Sequence, residues 1–143
     1  AAYHSREILT AVGFLTAEKR TPFQAGVLPF KESKTELLFV TLDKSTAQHE
    51  GVAYNDYAIS QTQFHWQSQN SAGPSTPGGR RYIESETNGW QFQLFVRIDK
   101  NAPYRACGPV RFMRYHGSKP MNITWQLEHP LPVRLFKEFS VLG

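Results

Sequence analysis

Short runs of β-branched and aromatic residues, set apart by turn-forming residues, recur along this chain and restrict it to a sheet-based fold. Residues 91–99 (QFQLFVRID) carry the clearest pattern. Phe92, Leu94, Val96 and Ile98 alternate with Gln91, Gln93, Arg97 and Asp99, the period of a strand with one buried face, and Phe95 is the exception. Residues 36–43 (ELLFVTLD) are apolar almost throughout, as in a strand buried on both faces. Residues 27–30 form a short strand limited by Pro29, and residues 57–68 a strand or strand pair. Residues 110–115 and 122–128 add two more, joined by a Gly-Ser-Lys-Pro turn from Gly117 to Pro120. A helix is expected over residues 3–14, where Tyr3, Ile8, Leu9 and Val12 share a face and Gly13 is a stop. A short second helix is expected over residues 133–139. Residues 16–26 and 44–55 read as polar connections. Residues 70–79 (NSAGPSTPGG) read as a mobile surface loop, followed by a short element at 80–84. The predicted class is α+β, mostly β: five or six strands in a curved sheet or small β-barrel, with one N-terminal and one short C-terminal helix. The 143 residues suit a single domain, 1–143.

Cys107 is the only cysteine, which excludes an internal disulfide framework and any multi-cysteine zinc site. A lone cysteine, no signal-peptide pattern in residues 1–7 and no bilayer-length apolar run point to a cytoplasmic protein without a membrane partner. Sixteen Lys and Arg against twelve Asp and Glu give a net charge of +4, a weak pointer to a polyanionic partner. The histidines, His4, His49, His65, His116 and His129, show no tight ligand spacing, so neither a metal site nor a cofactor is expected. With no paired carboxylates in view, no catalytic residue is assigned and the chain reads as a non-enzyme.

The densest constellation runs from Tyr54 through Asp56 and Tyr57 to Phe64, His65, Trp66, Gln67, Ser68 and Gln69. A nucleobase pocket uses these residue types together. Aromatic faces replace the stacking lost when a base leaves the duplex, and a carboxylate or amide reads its Watson–Crick edge. Asp56 would accept the exocyclic amino group of cytosine. Strand spacing also offers a plainer reading. Phe64 and Trp66 share one face and are more often core than pocket, while His65, Gln67 and Gln69 share the other. Phosphate contacts are expected first from Arg80 and Arg81, then from Arg97, Arg105, Arg111, Arg114 and Lys119.

A set of ordered segments carries a family resemblance: LLFVTLDKS (37–45), YNDYAIS (54–60), FHWQSQN (64–70), GRRYI (79–83), LFVR (94–97), GPVRF (108–112) and HGSKPMNITWQLEHPLP (116–132). With these, the chain resembles the C-terminal domain of unknown function of helicase-containing bacterial defence proteins, many with a phospholipase-D-type nuclease at the far end. Some of those look like type IV restriction enzymes, which cut DNA only where cytosine is modified. The resemblance implies a target-recognition module for double-stranded DNA carrying 5-methylcytosine or 5-hydroxymethylcytosine. Its partners would be helicase and nuclease domains of the same or another chain. The region from Tyr54 to Trp66 is chemically similar to the pocket of SET-and-RING-associated (SRA) domains, which flip methylcytosine, so an SRA- or PUA-like form of the sheet is one expectation. The alternative is a protein-interaction domain that couples a motor to its nuclease.

Overall fold

A computed structural model of the chain describes residues 2–3, 26–42 and 56–140. The strands are β1 (Ala2–Tyr3), β2 (Val27–Phe30), β3 (Thr35–Thr41), β4 (Tyr57–Ala58), β5 (Gln63–Gln67), β6 (Gln91–Arg97), β7 (Tyr104–His116) and β8 (Asn122–Leu127). The helices are α1 (Pro77–Ile83), α2 (Ser85–Asn88) and α3 (Val133–Phe139). Seven strands form one open mixed sheet in the order β2-β3-β6-β7-β8-β5-β4, and β1 pairs with the start of β7. The pair β3–β6 is parallel and its neighbours are antiparallel. The end strands β2 and β4 do not meet among the described residues, so the sheet is not a closed barrel. β2 and β4 are only four and two residues long, too little edge to curl round and pair. Of the helix expected over 3–14, Tyr3 lies in β1 and residues 4–14 fall outside the described set.

Alternation puts one face of the sheet against the main core. Phe92, Leu94 and Val96 of β6 join Phe64, Trp66, Ile123, Trp125 and Leu127, with Tyr82 of α1 and Phe139 of α3 packed on top. β3 is apolar in succession because both its faces are covered. Leu38 and Val40 enter the main core, while Leu37 and Phe39 join Leu28 and Tyr104 in a smaller cluster on the opposite face.

Glu36 interrupts that run and is only 1% exposed. Its carboxylate accepts from Tyr82 Oη at 2.6 Å and from Arg81 Nη1 at 2.7 Å, and the Arg81 guanidinium lies 4.0 Å over the Trp90 ring. A buried carboxylate persists only with such partners, so this triad fixes α1 to β3. Residues 70–79 form a hydrogen-bonded turn that opens α1, where their Gly, Pro and Ser content suggests a mobile loop. Thr76 caps α1: its Oγ1 accepts from Gly73 N and Gly79 N, both at 3.1 Å, and donates to Gly73 O at 2.9 Å. A Cβ on Gly79 would sit 1.8 Å from Gly73 O, so only glycine permits this approach. No helix among the described residues is long and apolar enough to cross a membrane.

Candidate functional site

The eight described residues of the nine between Tyr54 and Gln69 do not converge on one hollow. Tyr54 lies outside the described residues. Phe64 and Trp66, at 0% and 4% exposure, are part of the filled core, and the Trp66 ring meets Tyr82 and Trp125 with centroids 5.4 and 5.9 Å apart. Their assignment as pocket walls is corrected: the face they share is the one α1 and α3 cover. Ser68 is buried too, accepting from Met121 N at 2.8 Å and donating to Gln69 O at 3.1 Å. Gln69 turns inward, its buried Oε1 without a partner among the described residues. Asp56 accepts from Gln67 N at 2.8 Å. Burial raises its carboxyl from the ordinary 3.8 to about 6, against the lowering effect of that N–H donor. Asp56 therefore pins the start of β4 to the end of β5, at the end of the pair away from the turn. Of the described members of the set, Tyr57, His65 and Gln67 lie on the face away from the core.

The basic residues divide in the same way. Arg81 is committed to Glu36 and Trp90, Arg80 pairs with Glu84 at 3.3 Å, and Arg97 donates to Thr41 Oγ1 at 2.8 Å beneath the Tyr104 ring. The two arginines ranked first for phosphate thus have carboxylate partners within the chain. Arg105 is half-buried, whereas Arg111, Arg114 and Lys119 are exposed with no ion-pair partner among the described residues.

What the fold does assemble is a polar lattice on the outer face of β7, β8 and β5. Pairing places Arg111 beside Gln126 and Gln63, Arg114 beside Thr124 and His65, and His116 beside Asn122 and Gln67. Tyr57 of β4 extends the middle row, its ring stacked on His65 with centroids 4.8 Å apart and planes 18° from parallel. His65 and His116 lie 6.4 Å apart, and Gln67 Nε2 donates to Asn122 Oδ1 at 3.4 Å. A bulge makes this arrangement. Arg111 and Arg114 are three residues apart, which in a regular strand puts them on opposite faces. The register shifts between Phe112 and Arg114, so Met113 is the extra residue and Arg114 and His116 swing onto the side of Arg111. Gly117, at φ +81°, then turns the chain toward β8.

None of the nine lattice side chains is a carboxylate, and most can both donate and accept hydrogen bonds. Below the Arg111 row, an open groove of about 830 Å³ runs between the α2–β6 turn and β7. Trp90, Gln93, Met113, Glu86 and Glu128 are among its lining residues. Sequence reasoning missed Gln63, His116, Asn122, Thr124 and Gln126. The alternation of Asn122, Thr124 and Gln126 with Ile123, Trp125 and Leu127 was an available signal.

Residues 1–139 match the family model described as a domain of unknown function, DUF3427. The chain belongs to the DUF3427 family. No curated protein matches it. The match takes in every strand and helix described above, so the lattice, the bulge and the Glu36 triad all lie within the DUF3427 unit.

Proposed function

We propose that this DUF3427 domain is a non-catalytic DNA-binding module that recognises duplex DNA carrying modified cytosine, through the outer face of β7, β8 and β5. The observation that carries the reading is the column Arg111, Arg114 and His116, aligned on one face by the bulge and backed by amide and imidazole rows without a carboxylate. Guanidinium groups with no ion-pair partner among the described residues turn positive charge toward the DNA, and Gln and Asn side chains supply the donor–acceptor pairs that discriminate base edges. The choice of modified cytosine draws on the resemblance of the chain's segments to C-terminal domains of helicase-containing defence proteins, some of which look like modification-dependent restriction enzymes. In such an assembly the motor and nuclease are other domains, and this one selects the target.

A mobility-shift titration with unmodified, 5-methylcytosine and 5-hydroxymethylcytosine duplexes tests this. The expected result is salt-sensitive binding to all three, tighter to one or both modified forms, and weakened by the double replacement Arg111→Ala, Arg114→Ala. Equal binding to all three would remove the cytosine preference, and no binding to any would remove DNA altogether. The exposed apolar side chains Ile59, Val133, Met113 and Tyr115 favour, in that last case, a protein-docking role between motor and nuclease.

A further inference from the structure

Building on that reading, we infer that the target cytosine stays stacked in the duplex. Its 5-substituent is read in the major groove by Met113, flanked by Arg111 and Arg114 on the neighbouring guanines. A domain that extrudes a base needs an open slot with free aromatic faces to replace the lost stacking. Among the described residues the core aromatic faces are occupied. Trp66, Tyr82, Phe92, Phe112 and Trp125 form one packed ring cluster inside the core, with neighbouring centroids between 4.9 and 6.3 Å apart. On the outer face, Tyr57 and His65 are stacked on each other. Asp56, the carboxylate suited to a cytosine edge, accepts the Gln67 N–H instead.

The exposed β7 column suits a groove. Its lattice rows are spaced by about two residues at ~3.3 Å each, close to two base-pair steps of roughly 3.4 Å. Three rows therefore follow about four base pairs along one groove wall. The 5-position of a pyrimidine projects into the major groove, beside the N7 and O6 acceptors of an adjacent guanine. Arginine matches that guanine edge with two parallel donors, and an apolar side chain suits the 5-methyl group. The bulge supplies both at one level of the strand. Met113, 37% exposed, reaches across the outer face until its Sδ lies 3.7 Å from Gln63 Nε2, with Arg111 and Arg114 on either side. The ligand class is a 5-substituted cytosine next to guanine in intact duplex DNA.

Two modified duplexes and one variant test this. One duplex replaces the guanines flanking a single 5-methylcytosine with 7-deazaguanine, which deletes the N7 acceptor. The other places pyrrolo-cytosine, whose fluorescence rises on unstacking, at the target position. The expected results are binding weakened roughly ten-fold or more by 7-deazaguanine, no rise in pyrrolo-cytosine fluorescence at saturation, and loss of the preference for the methylated duplex in Met113→Ala. A several-fold fluorescence rise, with affinity indifferent to 7-deazaguanine, would overturn the stacked-base inference and leave DNA recognition standing. Failure of the wild-type domain to bind any of the duplexes would overturn both.

Discussion

Replacing Asp56 with asparagine should stabilise this domain at neutral pH, and by an amount that depends on pH. The carboxyl titrates near 6 in the folded chain instead of 3.8, because burial disfavours its charge more than the Gln67 N–H favours it. A raised acid constant means the folded state holds its proton more tightly. The associated stability is complete below about pH 4 and is lost as pH rises through about 6. The shift of roughly two units corresponds to about 3 kcal/mol at most. Asp56 keeps partial contact with solvent, which reduces this to about 1–2 kcal/mol. Asparagine keeps an Oδ1 to accept from Gln67 N and has no charge to bury. Urea unfolding of both forms between pH 3.5 and 8 should show the smallest difference at the acid end, and an advantage for Asp56→Asn that grows through about pH 4–6 and levels off above it. A less stable variant at pH 7.5, or a difference that does not change between pH 3.5 and 6, would refute the assignment of Asp56 as a buried carboxyl pinning β4 to β5. The same variant should leave discrimination among cytosine duplexes unchanged.

Other perturbations separate core from surface. Glu36→Ala should cost about 3–5 kcal/mol in chemical denaturation, since it leaves the Arg81 guanidinium and the Tyr82 hydroxyl without their partner. Trp66→Ala should lower stability by roughly 3–5 kcal/mol, as removal of a fully packed indole does, and not merely weaken a ligand. Gly79→Ala should lower the melting temperature, because its Cβ cannot occupy a point 1.8 Å from Gly73 O without displacing the Thr76 turn; about 1–3 kcal/mol is expected. The double variant Arg111→Ala, Arg114→Ala should melt like the wild type. It should also weaken DNA binding and flatten the slope of log binding constant against log salt by at most about 1.8, the value for two lost phosphate contacts.

The strands were legible because burial leaves a period of two in the residues themselves. Phe92, Leu94 and Val96 announced their face, and the unbroken apolar run around Leu37 to Val40 announced a strand covered on both sides. The same rule placed Phe64 and Trp66 together; local spacing could not say that their shared face was the one helices would cover. Arg81 could not be distinguished from a free surface charge, because its partner Glu36 lies 45 residues away and meets it only through tertiary packing. Residues 70–79 misled for a similar reason: turn-forming composition is common to loose and knitted loops, and Thr76 decides which this is. The outer lattice was hidden by the bulge, since an extra residue in one strand shows only against the register of its neighbour.

Met113 acts as a phase shifter between two halves of one strand. Before it, Phe112 faces inward and Arg111 outward; beyond it, Tyr115 pairs with Ile123 and Arg114 with Thr124. Were Met113 paired as an ordinary strand residue instead of bulged, everything up to the hairpin would exchange faces, and the Arg114 guanidinium and the His116 imidazole would turn toward the core side. Bulge and chain length are thus tied together: a relative one residue shorter here would keep the face with a regular strand, whereas one of the same length without the bulge would lose it.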